Sequence, residues 1–162
     1  FSLDDKRLKI IKDNGFLYDS SKINFKQHPL YGSLNLEEFS KLSDSVYKHE
    51  RFYEFEVSTL NLLDFNIPVS GGGYLRIFPW LLMKKLISSY IKKNNLYTLY
   101  IHPFELSNKV IPKIHNLNYK SNLRMRLGRR STIKKIDLLI SLLKENGFEF
   151  LTFEDVIKYY EN

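Results

Sequence analysis

At 162 residues, with 43% apolar and 15% aromatic content, the chain is the size of one domain or of part of a larger one, and it has enough apolar side chains to fill a core. The absence of cysteine excludes disulfides and thiolate metal sites without fixing the compartment, and no stretch approaches the roughly 18 consecutive apolar residues of a membrane span. The formal charge of +7 raises the question of a polyanion partner, yet Lys84-Lys85, Lys92-Lys93 and Lys134-Lys135 fall on polar faces of expected helices, and only Arg124, Arg126, Arg129 and Arg130 form a dense cluster, so nucleic acid is not an expected partner. No signal peptide is visible, and a chain starting at Phe1 rather than Met makes that uninformative.

Taken in chain order, residues 4–14 read as a helix with Leu8 and Ile11 inward, closed by Gly15 as a left-handed stop. Phe16 to Tyr18 is a short strand running into Asp19-Ser20-Ser21, and residues 22–50 read as irregular and polar. Arg51 to Thr59, with Phe52, Phe55 and Val57, reads as a strand carrying Glu54 and Glu56. Pro79 suits the first turn of a helix over about 79–93. Leu96 to Ile101 is a near-continuous apolar run of the kind buried on both faces of a parallel sheet. Residues 107–130 read as a long loop, unusual in a compact domain and often functional. Ser131 opens the strongest helix, with Ile133, Ile136, Ile140 and Leu143 on one face and Gly147 closing it. Phe148 to Leu151 is a last strand, and Thr152 with Asp155 forms a capping box for the final helix. The alternation from 79 to 161 implies right-handed βαβ crossovers and an α/β class.

In parallel α/β folds, ligands bind beyond the carboxyl ends of the strands, and His102 stands at such an end. A histidine, with an ordinary pKa near 6.5, can exchange a proton near neutral pH. Spacing alone leaves two readings of it, a catalyst or a cap that bonds to backbone at the sheet edge. Glu105 is similarly open between a helix-start carboxylate and a catalyst. Gly71-Gly72-Gly73 has neither the G-x-G-x-x-G spacing of a dinucleotide site nor the Gly-Lys-Ser/Thr of a phosphate loop. It allows backbone conformations closed to other residues, and reads either as a tight turn with an aromatic plug or as a place of close ligand approach. In an extended segment Tyr74 and Arg76 would share a face. Asp19 either accepts bonds from a ligand or caps its turn. His28, His49, His102 and His115 are isolated, so a zinc site built wholly from this chain is not expected. Glu54 and Glu56 share a strand face in ordinary amphipathic alternation, not as a glycosidase pair.

Several motifs nevertheless stand in the order of one family. Gly15-Phe16-Leu17-Tyr18-Asp19-Ser20-Ser21, Glu54-Phe55-Glu56-Val57-Ser58-Thr59, Pro68-Val69-Ser70-Gly71-Gly72-Gly73-Tyr74-Leu75-Arg76, Tyr100-Ile101-His102-Pro103-Phe104-Glu105 and Gly128-Arg129-Arg130 together resemble the C-terminal half of NodB-homology polysaccharide deacetylases. The nearest group is the exopolysaccharide-associated subfamily with a C-terminal extension. The resemblance implies the C-terminal portion of a distorted seven-stranded (β/α) barrel, with residues 1–162 as part of one deacetylase-like domain. It implies hydrolytic removal of acetyl groups from an N-acetylated polysaccharide or oligosaccharide with a divalent metal, usually zinc. His102 matches the general acid, while Gly72, Gly73, Tyr74, Arg76, Glu105 and Asp19 would line the substrate cleft. The family's base aspartate, metal ligands and orienting arginine belong to motifs that precede Phe1-Ser2, so the expectation is a fragment whose metal ligands lie outside this chain. The alternative is a non-catalytic carbohydrate-binding or scaffold protein with the same barrel. An incomplete barrel would also leave an edge for another chain to cover. The implied setting is bacterial, with cytoplasm and cell envelope both open.

Overall fold

The computed structural model describes residues 3–25, 34–63, 65–111 and 118–162. Helix α1 spans Asp5–Asp13, and its start is fixed by the Asp4 side chain, which accepts a hydrogen bond from the Arg7 amide at 2.9 Å. The expected stop holds, since Gly15 has φ +78°. Leu8 is the buried anchor of this helix and packs with Leu34 and Phe52.

Strands β1 (Tyr18–Asp19), β2 (Ser40–Ser43), β3 (Val46–His49) and β4 (Phe52–Phe55) form one sheet in the order β1-β4-β3-β2. The β1–β4 pairing is parallel and the other two are antiparallel. A separate hairpin joins β5 (Thr59–Leu62) to β6 (Phe65–Pro68). The segment read as irregular over 22–50 thus contains two strands. Strand β2 is a largely exposed edge, and its polar residues are held extended by pairing with β3 rather than by any apolar alternation of their own.

The second half is helical: α2 (Gly72–Ile77), α3 (Trp80–Ile91), α4 (Pro103–Leu106), α5 (Tyr119–Arg126), α6 (Arg129–Glu145) and α7 (Phe153–Glu161). Pro79 caps α3 and the Thr152–Asp155 capping box opens α7, both as the sequence indicates. Three expectations change. The loop expected over 107–130 contains α5, and α6 begins at Arg129, two residues before Ser131, because Gly128 takes the left-handed conformation at its N-cap. The runs 96–101 and 148–151 are not strands. Neither joins a ladder among the described residues, and Phe150 and Leu151 are exposed at 55% and 59%. An apolar groove of about 930 Å³ lies between these two runs. Without those two strands, the crossovers expected over 79–161 are not formed among the described residues.

The main core gathers Met83, Ile87 and Tyr90 of α3, Leu139, Leu142 and Leu143 of α6, and Leu60, Val69 and Leu75. At roughly 25 cal/mol per Å² of apolar surface, each fully buried side chain of this kind contributes about 1.5–3 kcal/mol. A smaller cluster packs Val46, Tyr53 and Phe55 against Ile157 of α7. The main core fixes α2 and α6 side by side, and the turn that carries His102 rests on both.

Candidate functional site

Gly71 begins the arrangement, with φ +98° and the Tyr100 ring standing where a side chain would be (2.7 Å from an ideal Cβ). The Gly72 amide donates to the Tyr100 carbonyl at 2.8 Å, tying the start of α2 to the run that leads to His102. A Cβ on Gly72 would lie 2.0 Å from Glu105 Oε2, so the Glu105 carboxylate occupies the space that the glycine leaves. Arg76 follows Gly72 by four residues and shares its helix face, which brings its guanidinium to the same carboxylate. The run expected to be extended is therefore helical, and Arg76 and Tyr74 diverge instead of sharing a face. Tyr74 turns toward Phe78, stacked at 6.2 Å, with the Phe25 ring edge-on at 6.2 Å.

Arg76 Nε donates to Glu105 Oε1 at 2.9 Å, and the two side chains are only 4% and 1% exposed. Glu105 Oε2 accepts the His102 amide at 2.9 Å, while the Glu105 amide donates to the His102 carbonyl at 2.9 Å. Pro103 adds a preset φ at the first position of α4. Glu105 thus bonds back to His102 twice, through its buried carboxylate and through its own amide. The His102 side chain lies outside that lock, exposed, with its ring stacked on Phe104 at 5.7 Å and 16° and meeting Tyr100 edge-on at 5.7 Å. Arg76 Cζ sits 5.9 Å from the Phe104 ring centroid, so the same arginine also backs the ring against which His102 rests.

The α5–α6 corner closes over this turn. Arg76 Nη1 donates to the carbonyls of Arg124 (2.6 Å) and Leu127, and Arg129 donates to those of Phe104 (3.0 Å, from Nε) and Ser107. Lys135 Nζ reaches the carbonyls of Arg76 at 2.9 Å and Phe78 at 2.7 Å, and burial lowers its pKa. Gly128 is required where α5 meets α6: its φ is +74°, and a Cβ there would lie 2.0 Å from the Arg76 carbonyl oxygen. Sequence patterning puts Lys135 on a polar helix face and Arg129 in an arginine cluster, and neither reading includes these bonds. Arg129 falls in the stretch read as a loop, and the Gly128-Arg129-Arg130 run was the only signal for it.

The structure therefore brings Gly72, Arg76, Glu105 and His102 into one network, with Gly73 beside it in ordinary contact (an ideal Cβ 3.9 Å from Glu105 Oε1). Arg76 and Glu105, expected to face a ligand, are buried against each other and hold the His102 turn. Asp19 belongs to a second group. It stands directly opposite Glu54 in the parallel β1–β4 ladder, at the last residue of β1 and one residue before the end of β4. Glu54 Oε1 accepts the amides of Ser21 (2.9 Å) and Lys22 (2.7 Å), whereas Glu54 Oε2 and Asp19 Oδ2 are both buried with no such donor. Burial, with the neighbouring Asp19 charge adding and the two amides opposing, pushes the Glu54 carboxyl up to about 8. With its carboxyl so raised, Glu54 keeps its proton at neutral pH. Glu56 is buried as well, accepts the Tyr47 hydroxyl at 3.0 Å, and is raised chiefly by burial. Ordinary amphipathic alternation thus does not describe these two carboxylates. All four residues of β4 are buried, so neither of its faces is a solvent face.

Among the described residues no three His, Asp or Glu side chains converge into a set that could hold a metal ion. The Asp19–Glu54 pair supplies two carboxylates and no third ligand among the described residues, so no chemical step is assigned to a metal held by this chain. No helix is long and apolar enough to cross a membrane among these residues. No curated protein and no solved structure matches the chain. The profile of one family, described as a domain of unknown function (DUF3473), matches residues 20–158, which takes in β2 to most of α7 and every residue of the network around His102. The chain belongs to this DUF3473 family, a domain that accompanies polysaccharide deacetylase-like proteins.

Proposed function

We propose that the chain serves hydrolytic deacetylation of an N-acetylated polysaccharide or oligosaccharide, with His102 as the proton donor to the departing amine. The observation that carries this reading is the exposed His102 imidazole on a turn fixed by the buried Arg76–Glu105 pair. A general acid must sit on a backbone that does not yield, with its ring accessible to the reacting atoms. Water adds to the acetyl carbonyl, the C–N bond breaks, and the His102 proton passes to nitrogen as acetate and the free amine separate. Activation of the water is not assigned to a residue of this chain. In the family that the motifs resemble, a zinc ion would supply that activation when bound, polarising the acetyl carbonyl as well, and a (β/α) barrel supplies the frame.

The test is acetate release from an acetylated oligosaccharide by the protein as its gene encodes it. His102→Ala should lower turnover by about two orders of magnitude, the usual contribution of a positioned general acid. Unchanged turnover removes His102 from the mechanism. Binding of the oligosaccharide with no acetate release under any metal supply supports the binding or scaffold alternative instead.

A further inference from the structure

The positive charge of this protein is concentrated in one stretch. Residues 103–136 hold nine of the 25 Lys and Arg but only one of the 18 Asp and Glu, leaving 16 basic and 17 acidic residues, a net of −1, for all the rest. The single acid of that stretch is Glu105, which is buried and paired with Arg76. Its described residues, 103–111 and 118–136, form the α4–α6 corner, bound to the His102 turn through the bonds of Arg129 to the Phe104 and Ser107 carbonyls and of Arg76 to the Arg124 and Leu127 carbonyls. On its surface Lys109, Arg124, Arg126, Arg130 and Lys134 are exposed, and none of them forms an ion pair among the described residues. Arg129 and Arg130 also occupy the first turn of the 17-residue α6, where the helix dipole favours acidic residues and none is present. Like charges so placed repel one another and the helix end, and a bound polyanion reverses the sign of both terms.

We infer that this corner binds an acidic polysaccharide, leading a glycan with carboxylate or other anionic substituents onto the His102 turn. The choice of a glycan over a nucleic acid rests on the proposed function, because the corner that carries the basic surface is bonded to the His102 turn. The inference concerns binding, which is measured apart from turnover.

The experiment measures binding of the protein to polygalacturonate oligosaccharides, with a neutral N-acetylated chito-oligosaccharide and random-sequence duplex DNA as comparators. The test variant is the triple substitution Arg124→Gln, Arg126→Gln, Arg130→Gln, in which only exposed side chains change. Polygalacturonate should bind, with affinity falling at least about tenfold between 50 and 200 mM salt as several counterions are displaced. The triple variant should bind at least about tenfold more weakly, and a charge-matched control, Lys6→Gln, Lys84→Gln, Lys85→Gln, at exposed positions outside the stretch, should bind as the unaltered protein does. No binding at 50 mM salt, or equal binding by the triple variant, overturns the inference. Tighter binding of duplex DNA at equal anion concentration also overturns it, in favour of a nucleic-acid surface. Acetate release from the neutral substrate that survives alongside any of these negative results leaves the proposed function standing. Polygalacturonate binding lost in the triple variant, with no acetate released by the unaltered protein, supports the surface and removes the reaction.

Discussion

Glu105→Ala deletes the carboxylate that holds the His102 turn, and its cost follows from the contacts. It strands the Arg76 guanidinium, 4% exposed, without its counter-ion at 2.9 Å. Leaving one member of a buried ion pair unpaired costs about 3–5 kcal/mol. It also removes the acceptor of the His102 amide, a cap-type bond of about 1 kcal/mol. Together these give about 4–6 kcal/mol, or roughly 8–20 °C in Tm for a domain of this size. Urea and thermal denaturation followed by circular dichroism measure it. The variant Arg76→Met/Glu105→Met removes both charges and fills the space, so it should lose less than Glu105→Ala alone. Some loss should remain, because Arg76 also bonds to the Arg124 and Leu127 carbonyls. A Glu105→Ala protein within about 1 kcal/mol of the original would refute the claim that the pair is buried and mutually dependent.

Glu54 fixes the sign of the pH dependence. Its folded pKa near 8 stands above the ordinary 4.5, so its contribution to stability is fully present below about pH 4.5 and is lost as pH rises through about 8. Between pH 6 and pH 9 this amounts to about 2–3 kcal/mol, with Glu56 acting in the same direction, and Tm measured across that range should fall. Glu54→Gln, whose amide can donate to Asp19, should flatten most of the slope; a slope unchanged in that variant removes the pair from the explanation. Gly72→Ala forces a methyl against Glu105 Oε2, which cannot swing away without releasing Arg76, and should destabilise by about 2 kcal/mol or more in urea titrations. Gly128→Ala meets the Arg76 carbonyl at positive φ and should lose a comparable amount, whereas Gly15→Ala, with nothing within 4 Å, should lose only the cost of its left-handed backbone.

What the sequence made legible was local. The left-handed stop at Gly15, the α3 start after Pro79 and the Thr152–Asp155 box each follow from chemistry within a few residues, and each is present. Pairing is not local. Leu96 to Ile101 and Phe148 to Leu151 have strand composition but no neighbour to complete a ladder among the described residues, while the polar β2 is a strand because β3 lies beside it. At the site, the family resemblance grouped Gly72, Arg76, His102 and Glu105 but not their division of labour. The helical twist from Gly72 to Ile77 turned Arg76 inward to Glu105, leaving only His102 at the surface. Glu54 was passed over because alternation resembles a solvent face; burial on both faces of β4 reverses that reading. His28 and His115 lie outside the described residues.

The most direct test of the central claim, that His102 donates a proton to a departing amine, compares two substrates with the protein as its gene encodes it. An N-acetylated sugar has a leaving group that must be protonated, while an aryl acetate with an acidic phenol does not. His102→Ala should lower kcat/KM for the amide by about a hundredfold and leave that for the aryl ester within a few fold. An equal loss on both substrates, or no loss on the amide, would contradict the account.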